Sequence, residues 1–179
     1  MFILYAVVIG LAAGLALGGR PDGLADIRFR LSWLAIAGLL VQLVLFTDPV
    51  ASSVGTLGPV IYVTSTLAVF AAVVANWRLR GMPIVALGAA SNLAAILANG
   101  GYMPAAPGAL AALDRASATV YSNSSVVANP VLSPLIDAYA LPLWIPGHNV
   151  FSVGDVLIGI GIAVTIALAM RAGSVRANT

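Results

Sequence analysis

Residues 150–170 read VFSVGDVLIGIGIAVTIALAM, an almost uninterrupted run of apolar residues that indicates the fold class. A helix needs roughly 20 mostly apolar residues to cross about 30 Å of hydrocarbon. The stretch meets that requirement, and its one charged residue, Asp155, lies near its beginning. It therefore predicts a helix that spans a membrane.

The rest of the chain has the same character. Hydrophobic residues make up 61% of the sequence and charged residues 8%, and the mean hydropathy is +1.05. A soluble domain is about one quarter charged, because its surface must face water. Four further apolar segments precede the first one quoted: residues 2–17, 31–46, 60–77 and 82–97. We therefore predict an all-α membrane protein with a single transmembrane domain over residues 1–179. It consists of a bundle of about five transmembrane helices and a long, partly structured outer loop at residues 99–149.

The arginines predict how the bundle is oriented. Seven of the eight basic residues follow the first, third or fifth apolar segment, so they lie on one side if all five segments span. These are Arg20, Arg28, Arg30, Arg78, Arg80, Arg171 and Arg176. Because positive charge favours the cytoplasmic side, the N-terminus is predicted outside and the C-terminus inside. Every basic residue is arginine and every acidic residue is aspartate, which we interpret as the bias of a bacterial genome. The predicted location is a bacterial cell membrane, crossed several times.

Missing residue types exclude several classes of site. The chain has no cysteine and one histidine, so neither a thiolate site nor a His/Cys metal site is predicted. The arginines are scattered beside apolar segments, a pattern typical of membrane proteins and not of nucleic-acid binding. The cofactor is left unknown. The predicted partners are the lipid bilayer and, as an open alternative, a larger membrane complex.

Glycines in the first segment form a ridge of small residues. Gly10, Gly14 and Gly18 recur every four residues, which lets helix backbones approach closely in lipid. The ridge suits either a homodimer interface or a contact within the chain. We favour the contact within the chain, with Gly159 and Gly161 as the facing surface.

Polar residues at the outer ends of the fourth and fifth segments form the candidate site. Polar groups in or near hydrocarbon are costly and therefore informative. The predicted pocket consists of Asn92, Asn99, Tyr102, Asp137, His148, Asn149, Ser152 and Asp155. No catalytic role can be assigned to any of them from the sequence.

Asp155 supports two compatible interpretations. With Ser152 three residues earlier, it fits a capping box at the beginning of a helix, where its charge would complement the helix dipole. It could instead handle a proton or bind a substrate if it is dehydrated. The cap is the favoured interpretation. At the end of the fourth segment, Asn99, Gly100 and Gly101 predict a helix C-cap followed by a turn.

Two stretches carry a family resemblance. Residues 98–104 read ANGGYMP, and residues 150–158 read VFSVGDVLI. Together with Asp137, Leu141-Pro142 and the early Gly18-Gly19-Arg20, they resemble a bacterial family of small membrane proteins of unknown function (DUF5317). Ile136 departs from the glycine of that pattern. The resemblance covers nearly the whole chain and implies a five-helix bundle with no assigned activity.

A second resemblance is to lipoprotein signal peptidase. Residues 151–155 are similar to that family's FN-x-AD motif, with Ser152 in place of asparagine and Gly154 in place of alanine. Ala95 stands where the family's other aspartate would be.

These observations lead to three functional hypotheses. The first is a non-enzymatic accessory subunit or a small-ligand binder for a lipid or quinone, with its polar pocket at the outer ends of the fourth and fifth segments. The second is a membrane-embedded aspartyl hydrolase, which needs two carboxylates and would pair Asp155 with Asp137. The third is a transporter, disfavoured by the odd number of spans and the lack of a charge at the midplane. We favour a non-enzymatic role.

Overall fold

A computed structural model of the chain describes residues 2–113 and 126–177. In these described residues the regular structure consists of seven α-helices, two short 3-10 turns and one two-stranded sheet. The helices are α1 Phe2–Ala16, α2 Ser32–Leu45, α3 Asp48–Ser53, α4 Leu57–Ala75, α5 Met82–Ala98, α6 Pro107–Ala111 and α7 Val153–Ala177. The 3-10 turns are Pro21–Leu24 and Ser133–Leu135, and the antiparallel strands are β1 Tyr139–Ala140 and β2 Val150–Phe151.

Five of the helices form the bundle: α1, α2, α4, α5 and α7. Contacts at both ends of α1 show that it runs parallel to α7, because Tyr5 Oη donates to the carbonyl of Pro146 and Arg20 N donates to that of Met170. The Gly10 and Gly14 ridge of α1 packs on α7, where a Cβ at Gly10 would lie 2.9 Å from the Cα of Ala163. The ridge therefore makes a contact within the chain.

The pairs α2–α4 and α5–α7 are both antiparallel. In the first pair Gln42 Nε2 of α2 donates to Thr66 Oγ1 of α4 at 3.2 Å, so this glutamine bridges two helices. In the second pair Gly161 packs against Val85 of α5 and against Gly81 just before that helix. It therefore faces α5, whereas the sequence predicted that it would face the glycine ridge of α1.

Two helices among the described residues are long and apolar enough to cross a membrane. They are Leu57–Ala75 and Val153–Gly173, with mean hydropathies of 2.0 and 2.2. The other three predicted spans are shorter apolar helices, which are Ile3–Ala16, Ser32–Leu45 and Met82–Ala98. At about 1.5 Å per residue, a helix of 14 residues rises only about 21 Å.

The arginine-bearing ends of the bundle helices meet at one end of the molecule, which we call the arginine end. Arg20 bonds the last turns of α7, and the backbone of Arg30 bonds Asn76 at the end of α4. The turn that carries Arg78 and Arg80 leads into Gly81, which packs on Thr165 of α7. The regions that the charge pattern assigned to one side are therefore neighbours. Arg115 lies outside the described residues.

The opposite end is covered by the cap, defined as residues 99–113 and 126–152. Its buried Met103 joins Leu45, Tyr62 and Ile96 in one apolar cluster, with Phe46 meeting Tyr62 edge to face at 5.1 Å. A second cluster forms where α6 packs on the hairpin, through Ala109, Leu110, Leu113 and Val150 among others. The described parts of the predicted outer loop thus pack on the bundle through side chains of their own.

The structure differs from the sequence pattern at both ends of the last helix and in one short additional helix. The fifth apolar segment covers residues 150–170, but Val150 and Phe151 form β2, and α7 begins at Val153 and continues to Ala177. Val150 and Phe151 form a strand because they pair with Tyr139–Ala140, about ten residues earlier on the loop that returns to the bundle. Hydropathy does not encode such a pairing. The short helix α3 was also missed, although Thr47, Asp48 and Pro49 are typical of a helix beginning.

Candidate functional site

Three of the predicted site residues form one hydrogen-bonded cluster between α5 and α7, which we call the polar latch: Asn92, Ser152 and Asp155. Asn92 Nδ2 donates to Asp155 Oδ1 at 2.8 Å, and Ser152 Oγ donates to Asn92 Oδ1 at 2.8 Å. Ser152 is fully buried, and the other two side chains are half-buried. The latch closes a ring of polar groups across the helix interface.

Ser152 and Asp155 also form the predicted capping box. Asp155 N donates to Ser152 Oγ at 3.1 Å, and Ser152 N donates to Asp155 Oδ2 at 3.0 Å. Asp155 occupies the third helical position of α7, where its carboxylate faces the positive end of the helix dipole. The local interpretation of this sequence is confirmed. Asn92, which the sequence could not assign to a partner, adds the second helix.

Close backbone approach makes the latch possible. A Cβ at Gly154 would lie 1.9 Å from Asn92 Oδ1, and a Cβ at Gly88 would lie 2.4 Å from the carbonyl of Gly154. Neither position has room for a side chain. The two glycines therefore bring α5 and α7 near enough for a short asparagine and a short aspartate to meet.

Asn99 holds the cap to the end of α5. Its side-chain amide donates to the carbonyl of Val131 at 2.9 Å and accepts from Val131 N at 2.8 Å, while Nδ2 also donates to the carbonyl of Ala95. The backbone turns away at once, because Gly100 and Gly101 have φ of 67° and 88° and Gly101 N bonds the carbonyl of Ile96. The C-cap and turn predicted from the sequence are confirmed.

At the arginine end, Asn76 joins the end of a helix to a distant backbone segment in the same way as Asn99. This role was not predicted from the sequence. Asn76 caps α4, and its side chain bonds both the N–H and the carbonyl of Arg30 and the carbonyl of Ala72. In both cases the bonded residue precedes a leucine with positive φ, Leu31 at 56° and Leu132 at 58°, which in turn precedes a helical turn. An asparagine directly after an apolar helix was the available signal.

Asn99→Ala is expected to loosen the Val131 segment of the cap without unfolding the bundle. The substitution removes the acceptor of the Val131 amide and one donor to its carbonyl, so exchange of that amide with deuterium should accelerate about tenfold. Hydrogen exchange read on peptides that contain Val131 measures this. Asn129→Ala is the matched control, since Asn129 is exposed and makes no hydrogen bond among the described residues. Equal exchange in the two variants would contradict the role of Asn99.

The remaining predicted site residues serve the cap. The main chain of Asp137, a residue only 5% exposed, bonds the carbonyl of Pro104 and the N–H of Ala106. Asn149 accepts from Leu141 N within the hairpin, and His148 and Tyr102 are half-buried. The structure therefore brings Asn92, Ser152 and Asp155 together, whereas Asn99 and Asp137 organise separate parts of the cap.

The polar groups of the latch are engaged in hydrogen bonds that hold the beginning of α7 to α5. Each carboxylate oxygen of Asp155 already accepts a hydrogen bond, and Ser152 Oγ both donates and accepts. Within residues 2–113 and 126–177, no three His, Cys, Asp or Glu side chains gather as a metal site would require. A hydrogen-bonded pair that joins two apolar helices stabilises their packing.

One family model matches the chain. It is the family of unknown function DUF5317, and the match covers residues 26–167, which include the polar latch and both asparagine bridges. No curated protein and no solved structure matches. Because the matched range covers most of the sequence, the chain belongs to the DUF5317 family of unknown function.

Proposed function

We propose that this DUF5317 protein spans a bacterial cell membrane with α1, α2, α4, α5 and α7, with its N-terminus outside and the arginine end in the cytoplasm. The support is the outward surface of the short helices. On α2, for example, Leu39, Leu40, Leu43 and Val44 are all exposed. Exposing such an apolar surface to water is unfavourable, whereas contact with the hydrocarbon of a bilayer is not. A locally thinned bilayer accommodates helices of this length.

Within that membrane, the protein acts as a non-enzymatic accessory subunit that docks a partner membrane protein on its cap. One observation carries this proposal. The described cap exposes no Asp, Glu, Lys or Arg side chain, although it lies at the end of the bundle where water is expected. It does expose large apolar side chains, namely Val126, Val131, Leu132, Tyr139, Leu143 and Trp144. Exposed apolar surface of this kind marks contact with another protein or with the membrane.

The part of the cap around Leu132 suits a protein partner best. Asn99 fixes the backbone of Val131 in both directions, so the two neighbouring apolar side chains are held in place before any partner arrives. A preorganised apolar contact loses less conformational entropy on binding. Trp144, which is 81% exposed, lies instead in the turn above the beginning of α1, a position typical of an aromatic at the membrane interface.

Leu132→Asp is expected to release the protein from its complex. Native gels of gently solubilised membranes measure this as a loss of the high-mass band, with the chain shifting to the mass of the free subunit. The fold should survive, because Leu132 has a positive φ that aspartate adopts more readily than leucine. Asn129→Asp adds the same charge three residues away and should leave the band unchanged.

Two results count against the accessory role. One is a wild-type chain that migrates only as a monomer in native membranes. The other is a high-mass band in which two differently tagged copies of the chain account for the whole mass, which would make the assembly a homo-oligomer.

A small apolar ligand, such as a lipid chain or a quinone tail, is the second candidate. A groove of about 170 Å³ runs between α1 and α7 below the cap, and its lining is almost wholly apolar. Tyr5, Ile9, Val156 and Ile160 are among its walls. Ile9→Trp should lower the amount of organic-extractable ligand that copurifies, whereas Val8→Trp, one position away on an exposed face, should not. Equal extracts from both variants would remove this candidate.

A further inference from the structure

The arginine end contains a groove that the functions proposed so far do not use. It measures about 310 Å³ and lies between α7, the α4–α5 turn and the segment that follows the first 3-10 turn. Ile27, Leu79 and Leu168 provide apolar wall, and Arg80 lies at its edge. A second groove of about 230 Å³ shares Arg80, Leu168 and Ala172 with the first and adds Arg171, so the two grooves are adjacent.

The charge in this groove is predominantly positive. Arg80 is exposed and makes no hydrogen bond or ion pair within residues 2–113 and 126–177. Arg171 is exposed as well, and Asp26 is the one acidic residue among the lining groups that the structure describes. The other acid nearby, Asp22, already pairs with Arg20 at 3.4 Å. A site with two guanidinium groups beside one carboxylate favours an anion with more than one acceptor oxygen.

The apolar walls indicate what carries that anion. Leu79 and Leu168 are half-buried and line the groove beside Arg80. In the proposed membrane placement, this end of the bundle lies at the surface of the bilayer. A free phosphate would gain nothing from such walls, whereas a phospholipid would place its phosphate at the arginines and its acyl chain along the leucines. Basic pockets between membrane helices on the cytoplasmic side bind anionic lipid headgroups for this reason.

We propose that this groove is a specific binding site for the phosphate of an anionic phospholipid from the cytoplasmic leaflet. Arg80 and Arg171 contact the phosphate oxygens, and Leu79, Leu168 and Ala172 contact the first part of the acyl chain. The site rests on the proposed membrane placement and is independent of any partner that docks on the cap.

The test uses the full-length protein purified in detergent and native mass spectrometry of bound lipid. Dioleoyl-phosphatidylglycerol is titrated against dioleoyl-phosphatidylcholine, and the wild type should retain the anionic lipid preferentially. Each of Arg80→Gln and Arg171→Gln should lower its apparent affinity about fivefold, and the double variant about 25-fold. Ala172→Leu narrows both grooves without changing the charge and should lower retention as well.

Arg78→Gln is the matched control, since it removes one charge from the same turn without lining either groove. A loss equal to that of Arg80→Gln would mean diffuse attraction to the arginine end and would overturn the site. Displacement of the lipid by 10 mM inorganic phosphate would overturn the lipid source in favour of a soluble anion. Persistent binding at that concentration supports the proposal.

Membrane placement is checked separately, by extraction of native membranes with alkaline carbonate. If the protein remains in the pellet but the wild type and the Arg80→Gln/Arg171→Gln variant bind phosphatidylglycerol equally well, the groove site is wrong and the membrane placement stands. A protein released by carbonate disproves the placement itself.

Discussion

Gly154→Ala is expected to be strongly destabilising for so small a change in the bundle. Its new Cβ would lie 1.9 Å from Asn92 Oδ1 and 2.8 Å from the carbonyl of Gly88, and the second of these atoms belongs to helix backbone. The helices must separate, which strains the latch and the packing beside it. Overpacking of this kind costs about 3 kcal/mol, so thermal unfolding in detergent should occur about 10 °C lower than in the wild type.

Gly108→Ala is the control for that experiment. Gly108 lies in α6, and a Cβ there would meet no atom within 4 Å. Alanine also has the higher helix propensity, so the melting temperature should stay the same or rise slightly. If Gly154→Ala melted together with Gly108→Ala, the close approach of α5 and α7 would be wrong.

Exchanging the latch residues is expected to separate a structural role of Asp155 from a chemical one. In Asp155→Asn, two donors, Ser152 N and Asn92 Nδ2, face an amide that offers one oxygen instead of two. One donor is left opposite an NH₂ group, and the free energy of unfolding should fall by about 2 kcal/mol. Thermal unfolding of the purified variant measures the loss.

The double variant Asn92→Asp/Asp155→Asn should recover that stability. The new carboxylate at 92 accepts from Ser152 Oγ and from the amide at 155, whose oxygen still accepts from Ser152 N. Every bond of the latch is thereby regained with the charge on the other helix. Asn92→Asp alone is the control, because it places two carboxylates together and should remain destabilised.

The same variants decide between the functional hypotheses. An accessory subunit needs the latch intact, so the double variant should restore both the melting temperature and the high-mass band on native gels. An aspartyl hydrolase needs its carboxylate at a fixed place relative to its second aspartate. Recovery of stability without recovery of cellular function would therefore favour an enzyme and would count against the accessory role.

Local features of this protein were predictable because the interacting groups are near in sequence. The capping box joins residues three apart, and the Asn99 C-cap involves one helical turn and the two glycines after it. The apolar segments predicted where the five bundle helices lie to within three residues of their ends, except that α7 continues seven residues past Met170 to Ala177. Such signals involve residues no more than about four positions apart, so they are visible in the sequence itself.

Hydropathy and helix capping are local properties, so the residues of the chain were enough to predict the helical class, the positions of the bundle helices and the capping box of α7. The partners of the polar residues depend instead on tertiary contacts. The partner of Asn92 is Asp155, 63 residues away, and the partner of Asn99 is the backbone of Val131, 32 residues away. These pairings depend on how closely Gly88 and Gly154 let two helices approach and on where a loop returns to the bundle. Residues 150–170 illustrate both cases. Most of the stretch is the helix that its hydropathy predicts, but its first two residues form a strand because they pair with Tyr139–Ala140.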